Sequence, residues 1–317
     1  MKILLAYDGS ACAEAAIDDL VKAGIPDSAD CSVISVAEVW LPPSNGSNGY
    51  EPADPYLEEL VRKQRERGEH AVAEAWTFSN HAAARLRQMF PSWSVKSEAT
   101  YGSPAWEILN RADAILPDLI VVGSHGQSAI SRFLLGSISQ KVLTVAHCSV
   151  RVARGKIEVD SAPSRIMIGF DGSSGSKAAV DSVASRKWRA GSEVKMVSVT
   201  DPVSPSAIGR FVPPIVDAAE AINKSEHDWL MSAADPEAEK LRSAGLNVEI
   251  QIVPGNPKRV LTDAAENWNA DCIFVGANSY GSRIEKYLIG STSAAVAARA
   301  HCSVEVVRRP QDGNAQK

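Results

Sequence analysis

Five short runs of residues occur twice in this chain, in the same order, and that constrains the fold more than any other feature. Asp8-Gly9-Ser10 returns as Asp171-Gly172-Ser173, 163 residues later (171 − 8). Gly102-Ser103-Pro104 returns as Gly255-Asn256-Pro257, and Asp118 through Gly123 as Asp271 through Gly276, both at an offset of 153. Leu134-Leu135-Gly136-Ser137 returns as Leu288-Ile289-Gly290-Ser291, and Ala146-His147-Cys148-Ser149-Val150 as Ala300-His301-Cys302-Ser303-Val304, both at 154. Five ordered matches imply an internal duplication. With 317 residues, each copy has the length of one ordinary domain. The expected boundaries are a first domain at 1–153, a polar linker at 154–164, a second domain at 165–309 and a disordered tail at 310–317. The fall in offset from 163 to 153 predicts about ten extra residues in the first copy, assigned to the polar Leu41–Asp54 loop. The rise to 154 places one extra residue between Gly276 and Gly290.

Within each copy, short β-branched runs alternate with helical periodicities. In the first, Lys2–Tyr7 reads as a strand and Ser10 as an N-cap. Ala13, Ala16, Ile17 and Leu20 recur at helical spacing. Cys31–Val39 and Ser94–Thr100 read as strands, Pro55–Phe90 as a long charged helix, and Ala105, Ile108, Leu109 and Ala112 as one face of a shorter one. Cys148–Ala153 is the last strand. Such alternation predicts β-α-β units, hence an α/β fold with a mainly parallel sheet covered on both faces.

Leu119–Val122 is a continuous apolar run, as a strand buried on both faces would be, and Gly123 ends it. Two residues separate Gly123 from Gly126 and nine separate Gly126 from Gly136, and Ser137 opens a helix reaching about Ala146. Glycine permits positive φ and close backbone approach, while a helix N-terminus offers free N–H groups and a positive dipole end. Together these make a phosphate cradle.

Composition narrows the function classes. A formal charge of -5 and a pI near 5.8 leave no electrostatic footprint for nucleic acid. No apolar run nears the roughly 20 residues of a membrane span, and an acid at Asp8 argues against a secretory leader, so a cytoplasmic protein is expected. Five cysteines without a C-x-x-C pair are expected to be reduced and buried.

The pattern Gly123-x2-Gly126-x9-Gly136-Ser137 resembles the ATP-binding signature of the universal stress protein family. Nearly the whole chain fits that family, as two tandem copies. The resemblance implies two tandem open-sheet domains, each with a five-stranded parallel sheet of Rossmann-like, adenine nucleotide alpha hydrolase type. It implies that Asp8 and the backbone near Val36 hold adenine and ribose. Gly123, Ser124, His125 and Gly126 would line ribose and phosphates, and Gly136, Ser137, Ile138 and Ser139 the phosphate tail. The cofactor implied is ATP, which would bring a divalent ion such as Mg²⁺. In the second copy Asp171, Val199, Gly276, Gly290 and Ser291 match. There, however, four residues lie between Gly276 and Gly281, and Tyr280 falls where the first copy has Gly126, so the second site is expected to be impaired or remodelled, with nucleotide binding there left open.

Blander readings compete at several positions. Gly123 and Gly126 could be ordinary turn glycines, and Asp8 and Asp171 helix caps. His125 has no evident acid or nucleophile partner for catalysis. His147 and His301 beside Cys148 and Cys302 suggest a metal, but the repeat explains the coincidence. Arg132 and Lys286 could approach an anion or simply be solvated. No Gly-x4-Gly-Lys-Ser/Thr loop occurs, the nearest approach being Gly172–Lys177. The leading expectation is therefore a non-enzymatic nucleotide-binding stress protein. A slow ATP hydrolase and a ligand-free interaction module are the alternatives. Ser149–Ala153 and Ser303–Val307 are edge-strand candidates expected to pair with each other as an internal pseudo-dimer. Homodimerisation of whole chains stays open.

Overall fold

The computed structural model describes residues 1–40, 55–126, 135–154, 157, 160, 162–202, 213–277 and 289–309. The first half runs β1 (Lys2–Ala6), α1 (Ala11–Asp19), β2 (Asp30–Ala37), α2 (Pro55–Met89), β3 (Ser94–Tyr101), α3 (Pro104–Ile115), β4 (Leu119–Gly123), α4 (Ser137–Val145) and β5 (Ser149–Ala153). The second repeats the order as β6 (Arg165–Gly169), α5 (Ser174–Ala184), β7 (Glu193–Thr200), α6 (Pro213–Ser243), β8 (Asn247–Pro254), α7 (Pro257–Trp268), β9 (Cys272–Gly276), α8 (Ser291–Arg299) and β10 (Ser303–Val307).

Each half contributes five parallel strands, and the two sets fuse into one ten-stranded sheet in the order β3-β2-β1-β4-β5-β10-β9-β6-β7-β8. The joint is an antiparallel pairing, the only one among the described residues, between β5 and β10, as the edge-strand reading anticipated. Because the joint is antiparallel, the carboxyl ends of the strands face opposite ways in the two halves. The repeat extends to single hydrogen bonds. Asp118 accepts from the backbone N–H of Lys2, and Asp271 from that of Arg165, both at 2.7 Å.

Helices cover both faces. Leu4, Ile34, Ile120 and Val150 pack under α3 and α4, and this core continues without a break through Met167, Ile273 and Val304 under α7 and α8. On the other face the core divides. Ile3, Leu5 and Val33 pack under α1 and α2, while Ile166, Ile168 and Met196 pack separately under α5 and α6.

Two expectations need correcting. The ten extra residues of the first copy do not all lie in the Leu41–Asp54 loop. The segment from Ala37 to Pro55 is five residues longer than that from Thr200 to Pro213, and α2 has 35 residues against 31 for α6. The last extra residue falls between α2 and β3. A polar surface helix lengthens by one turn without disturbing the sheet, so an insertion can be shared between loop and helix. The cysteines are not uniformly buried either. All five are free, but Cys12 and Cys148 are only partly covered. Burial still pushes the thiols of Cys31 and Cys272 up to about 12 and that of Cys148 up to about 11. The expectations for the tail at 310–317 and for Arg132, Lys286 and Tyr280 lie outside the described residues. No described helix is long and apolar enough to cross a membrane.

Candidate functional site

The strand order of the first half reverses direction between β1 and β4: successive strands step outward to β2 and β3 on one side and to β5 on the other. Open α/β sheets bind ligands at such a switch point, outside the carboxyl ends of the strands. A cleft of about 490 Å³ lies there. It brings together Asp8, Val36, Gly123, His125, Gly126, Ile138 and Ser139. Ser124, Gly136 and Ser137 do not line it. Ser124 is turned inward, 4% exposed, with its hydroxyl 3.7 Å from Cys12 Sγ. Two clefts of about 690 Å³ lie elsewhere, one on each side of the joint between the halves.

The glycines act differently from the sequence expectation. Positive φ belongs to Gly9 (+76°) and Gly172 (+74°), the residues after the two aspartates, and not to Gly123, Gly126 or Gly136. What Gly123 supplies is close approach. A Cβ there would stand 2.7 Å from the Cys12 carbonyl oxygen in the first turn of α1. This glycine is therefore required by packing of α1 on the strand end. At Gly126 a Cβ would meet the Asp8 carboxylate at 2.9 Å, the nearest contact among the described residues. Asp8 and the glycine loop are thus neighbours, as the fold predicts. Gly136 donates its N–H to the Ser124 carbonyl at 2.8 Å, which closes the base of the loop.

Asp8 is not the helix cap. Ser10 is, its hydroxyl accepting from the Ala13 N–H at 3.2 Å. Asp8 in turn accepts from the Ser10 N–H at 3.0 Å, an arrangement that leaves its second oxygen, Oδ2, on the Gly126 side. Helix α4 begins at Gly136 with no side-chain cap, so its first N–H groups lack the partner that Ser10 gives α1. The Ser139 hydroxyl donates to the Gly123 carbonyl at 2.6 Å, tying α4 to the end of β4. His125 Nδ1 lies 3.2 Å from Ser124 Oγ, while its Nε2 is buried without a hydrogen-bond partner. Burial, with a smaller contribution from the Arg154 charge, holds the imidazole below its usual value.

Sequence reasoning missed the outer wall. Ala71, Glu74, Ala75 and Phe78 of α2 face the cleft. Their i, i+3, i+4, i+7 spacing was available as a signal, but α2 is so charged that its solvated face hid the inner one. Also unforeseen were Arg154 and Arg308, counterparts that clasp the opposite half. Arg154 donates to the Ala298 carbonyl at 2.7 Å within α8, and Arg308 to the Leu143 carbonyl at 2.6 Å within α4.

In the second half, the equivalent positions keep the scaffold. Asp171 accepts from Ser173 N–H at 3.0 Å, and Ser293 donates to the Gly276 carbonyl at 2.6 Å. Gly276 is tighter than Gly123, a Cβ there standing 2.3 Å from the backbone of Gly175. The Trp229 ring of α6 covers Gly172 as Phe78 covers Gly9. Val199 is half-buried against the core that runs through both halves, Gly290 caps α8 without a side-chain bond, and Ser291 is exposed. Among the described residues no group of three metal-ligating side chains occurs, and His147 and His301 fall in separate clefts at the joint.

A duplicated, doubly wound α/β chain with a glycine-lined cleft at its switch point is thus the class this molecule defines. The universal stress protein family model matches residues 1–154 and 163–308, and the chain belongs to that family. The universal stress protein Rv2005c of Mycobacterium tuberculosis is 28% identical over 264 residues, 81% of this chain and 82% of that protein. YxiE of Bacillus subtilis is 31% identical over 157 residues, which is 98% of its length but 48% of this chain. Among solved structures, a universal stress protein from Archaeoglobus fulgidus superposes over 98% of this chain and 97% of its own, with a TM-score of 0.58 at 21% identity.

Proposed function

We propose that the first half holds an adenine nucleotide, ATP with a divalent ion, and that the protein acts without catalysis, its occupancy altering shape or partner choice under stress. The observation that carries this reading is the cleft at the β1/β4 switch point, which unites Asp8, Val36 and the Gly123–Gly126 turn. The residues suit the ligand. Val36 and the apolar side of α2 match a purine ring, and Asp8 can accept from a ribose hydroxyl. The uncapped start of α4 and the unpartnered His125 Nε2 offer groups to phosphate oxygens. A side chain at Gly126 would occupy the space beside Asp8.

Ser124 and His125 give a hydrolase reading its one specific handle, a hydroxyl beside an imidazole at 3.2 Å. That hydroxyl is buried and turned towards Cys12, out of the cleft, which favours the non-catalytic reading. Native mass spectrometry of gently purified protein, with and without added ATP and Mg²⁺, tests the proposal. One nucleotide per chain that remains ATP through a long incubation is expected. No binding even with added ATP contradicts the site, and steady release of ADP contradicts the absence of catalysis.

A further inference from the structure

The joint between the halves carries a set of differences separate from the nucleotide cleft. Across it, Val152 faces Val304, Arg151 faces Glu305 and Val150 faces Val306. Arg151 and Glu305 are also repeat counterparts, 154 apart (305 − 151). The pseudo-twofold axis relating the halves therefore passes between them. In a pairing of two identical strands, the residue on that axis meets its own copy. Here opposite charges meet, both side chains 0% exposed, on the face where the two cores separate.

Four alternating charges run through this gap. Asp19, 1% exposed, accepts from the Nε and Nη2 edge of Arg151, the Nη2 bond measuring 3.0 Å. Arg151 Nη1 reaches one oxygen of Glu305 at 3.4 Å. The other oxygen accepts from Arg186, whose Nη1 donates to the Ala23 carbonyl at 2.8 Å. The Phe274 ring lies beside both guanidinium groups, 5.9 Å from Arg151 Cζ and 5.0 Å from Arg186 Cζ. Every member differs in kind from its repeat counterpart: Asp19 answers to Ser182, Arg151 to Glu305, Arg186 to Ala23 and Phe274 to Val121. The valines on either side of the central pair do not differ.

A buried ion network is a poor source of stability, because apolar side chains of similar volume often do as well; what it can supply is discrimination. The geometry points to a selectivity device that fits β5 to the β10 of its own chain and rejects pairing of either last strand with its like in a second copy. Two β5 strands would set Arg151 against Arg151, and two β10 strands Glu305 against Glu305; each would keep the partner from its own half, Asp19 or Arg186, but would lose the opposite charge across the joint and meet a like one, with no solvent to screen it.

The test starts from the folded whole chain. A protease site is introduced into the linker after Arg154, the purified protein is cut, and the nicked complex is taken through urea and back so that the halves can choose partners. Indifferent halves give the three pairings in a ratio of roughly 1:2:1. Native mass spectrometry should instead show the mixed pair exceeding either like pair by at least about tenfold, which is about fivefold above the indifferent ratio and a preference of about 1 kcal/mol per mixed pair. The all-apolar variant D19L/R151M/E305L/R186M should drift towards the indifferent ratio. An indifferent ratio from the unsubstituted halves, or an undiminished mixed preference in the apolar variant, overturns the proposal. If the cut halves fail to re-pair, the intact chain decides. E305R, which reproduces the two-arginine encounter, should lower the thermal midpoint further than E305Q, which only removes the charge. Equal falls overturn the proposal.

Discussion

The first and second halves are the same scaffold used under different demands. They agree wherever the fold is at stake. Ser10 and Ser173 cap the first helices, Asp118 and Asp271 hold the first strands, and Ser139 and Ser293 tie the later helix to the strand end with bonds of equal length. They disagree in the loop after the fourth strand, in the helix that walls the cleft, and along the joint. A duplicated chain thus separates the residues a fold requires, which stay paired, from those a site or an interface requires, which drift apart.

That separation predicts where a substitution will act equally on both halves and where it will not. The largest effect is expected at the strand-end glycines, since both are packed against backbone. Gly276→Ala should cost on the order of 3 kcal/mol and Gly123→Ala about 2 kcal/mol, following the tighter approach at Gly276. Urea midpoints of the two variants would reverse this order if the packing distances do not govern the cost.

Gly126→Val should act on binding and leave stability almost unchanged, because among the described residues its Cβ would meet only the Asp8 carboxylate. Isothermal titration should show ATP affinity reduced by at least about tenfold. Unchanged affinity would remove Gly126 from the site. The caps should behave alike: Ser10→Ala and Ser173→Ala each lose a bond of 3.2 Å to a helical N–H, and each should cost about 1 kcal/mol in thermal unfolding. Unequal losses would show that the halves differ in their scaffold as well.

The smallest effect is on pH dependence. Burial lowers the folded-state value of His125, and likewise of His301. The unfolded chain then binds more protons, so stability rises with pH through that window and falls on acidification below about 6.5. His125→Gln should flatten part of the slope in a series of melts between neutral and mildly acidic pH, and an unaltered slope would mean the ring is solvated.

Much of this was legible in the sequence because the chain is periodic and says everything twice. Strand and helix positions followed from apolar runs and from Ser10, Pro104 and Gly136 at element boundaries, and the β5–β10 joint from two apolar strands left at the edges. The spacing of the glycines marked the site, but not what each glycine does. Gly123 serves the approach of α1 and Gly126 the space beside Asp8, a distinction that depends on which backbone lies opposite. The inner face of α2 was obscured by its charge. The Asp19–Arg151–Glu305–Arg186 chain was invisible, since its members are scattered over the sequence and its two pairs, one in each half, meet only where β5 joins β10.

The central claim is that the first half is the half that takes nucleotide. Photolabelling the intact protein with 8-azido-ATP, followed by peptide mapping, tests it most directly. The account predicts label on peptides of the first half, from α2 or from Gly123 to Ser139, and its loss when unmodified ATP competes. Label confined to residues 165–309, with the first half unmarked, would contradict it.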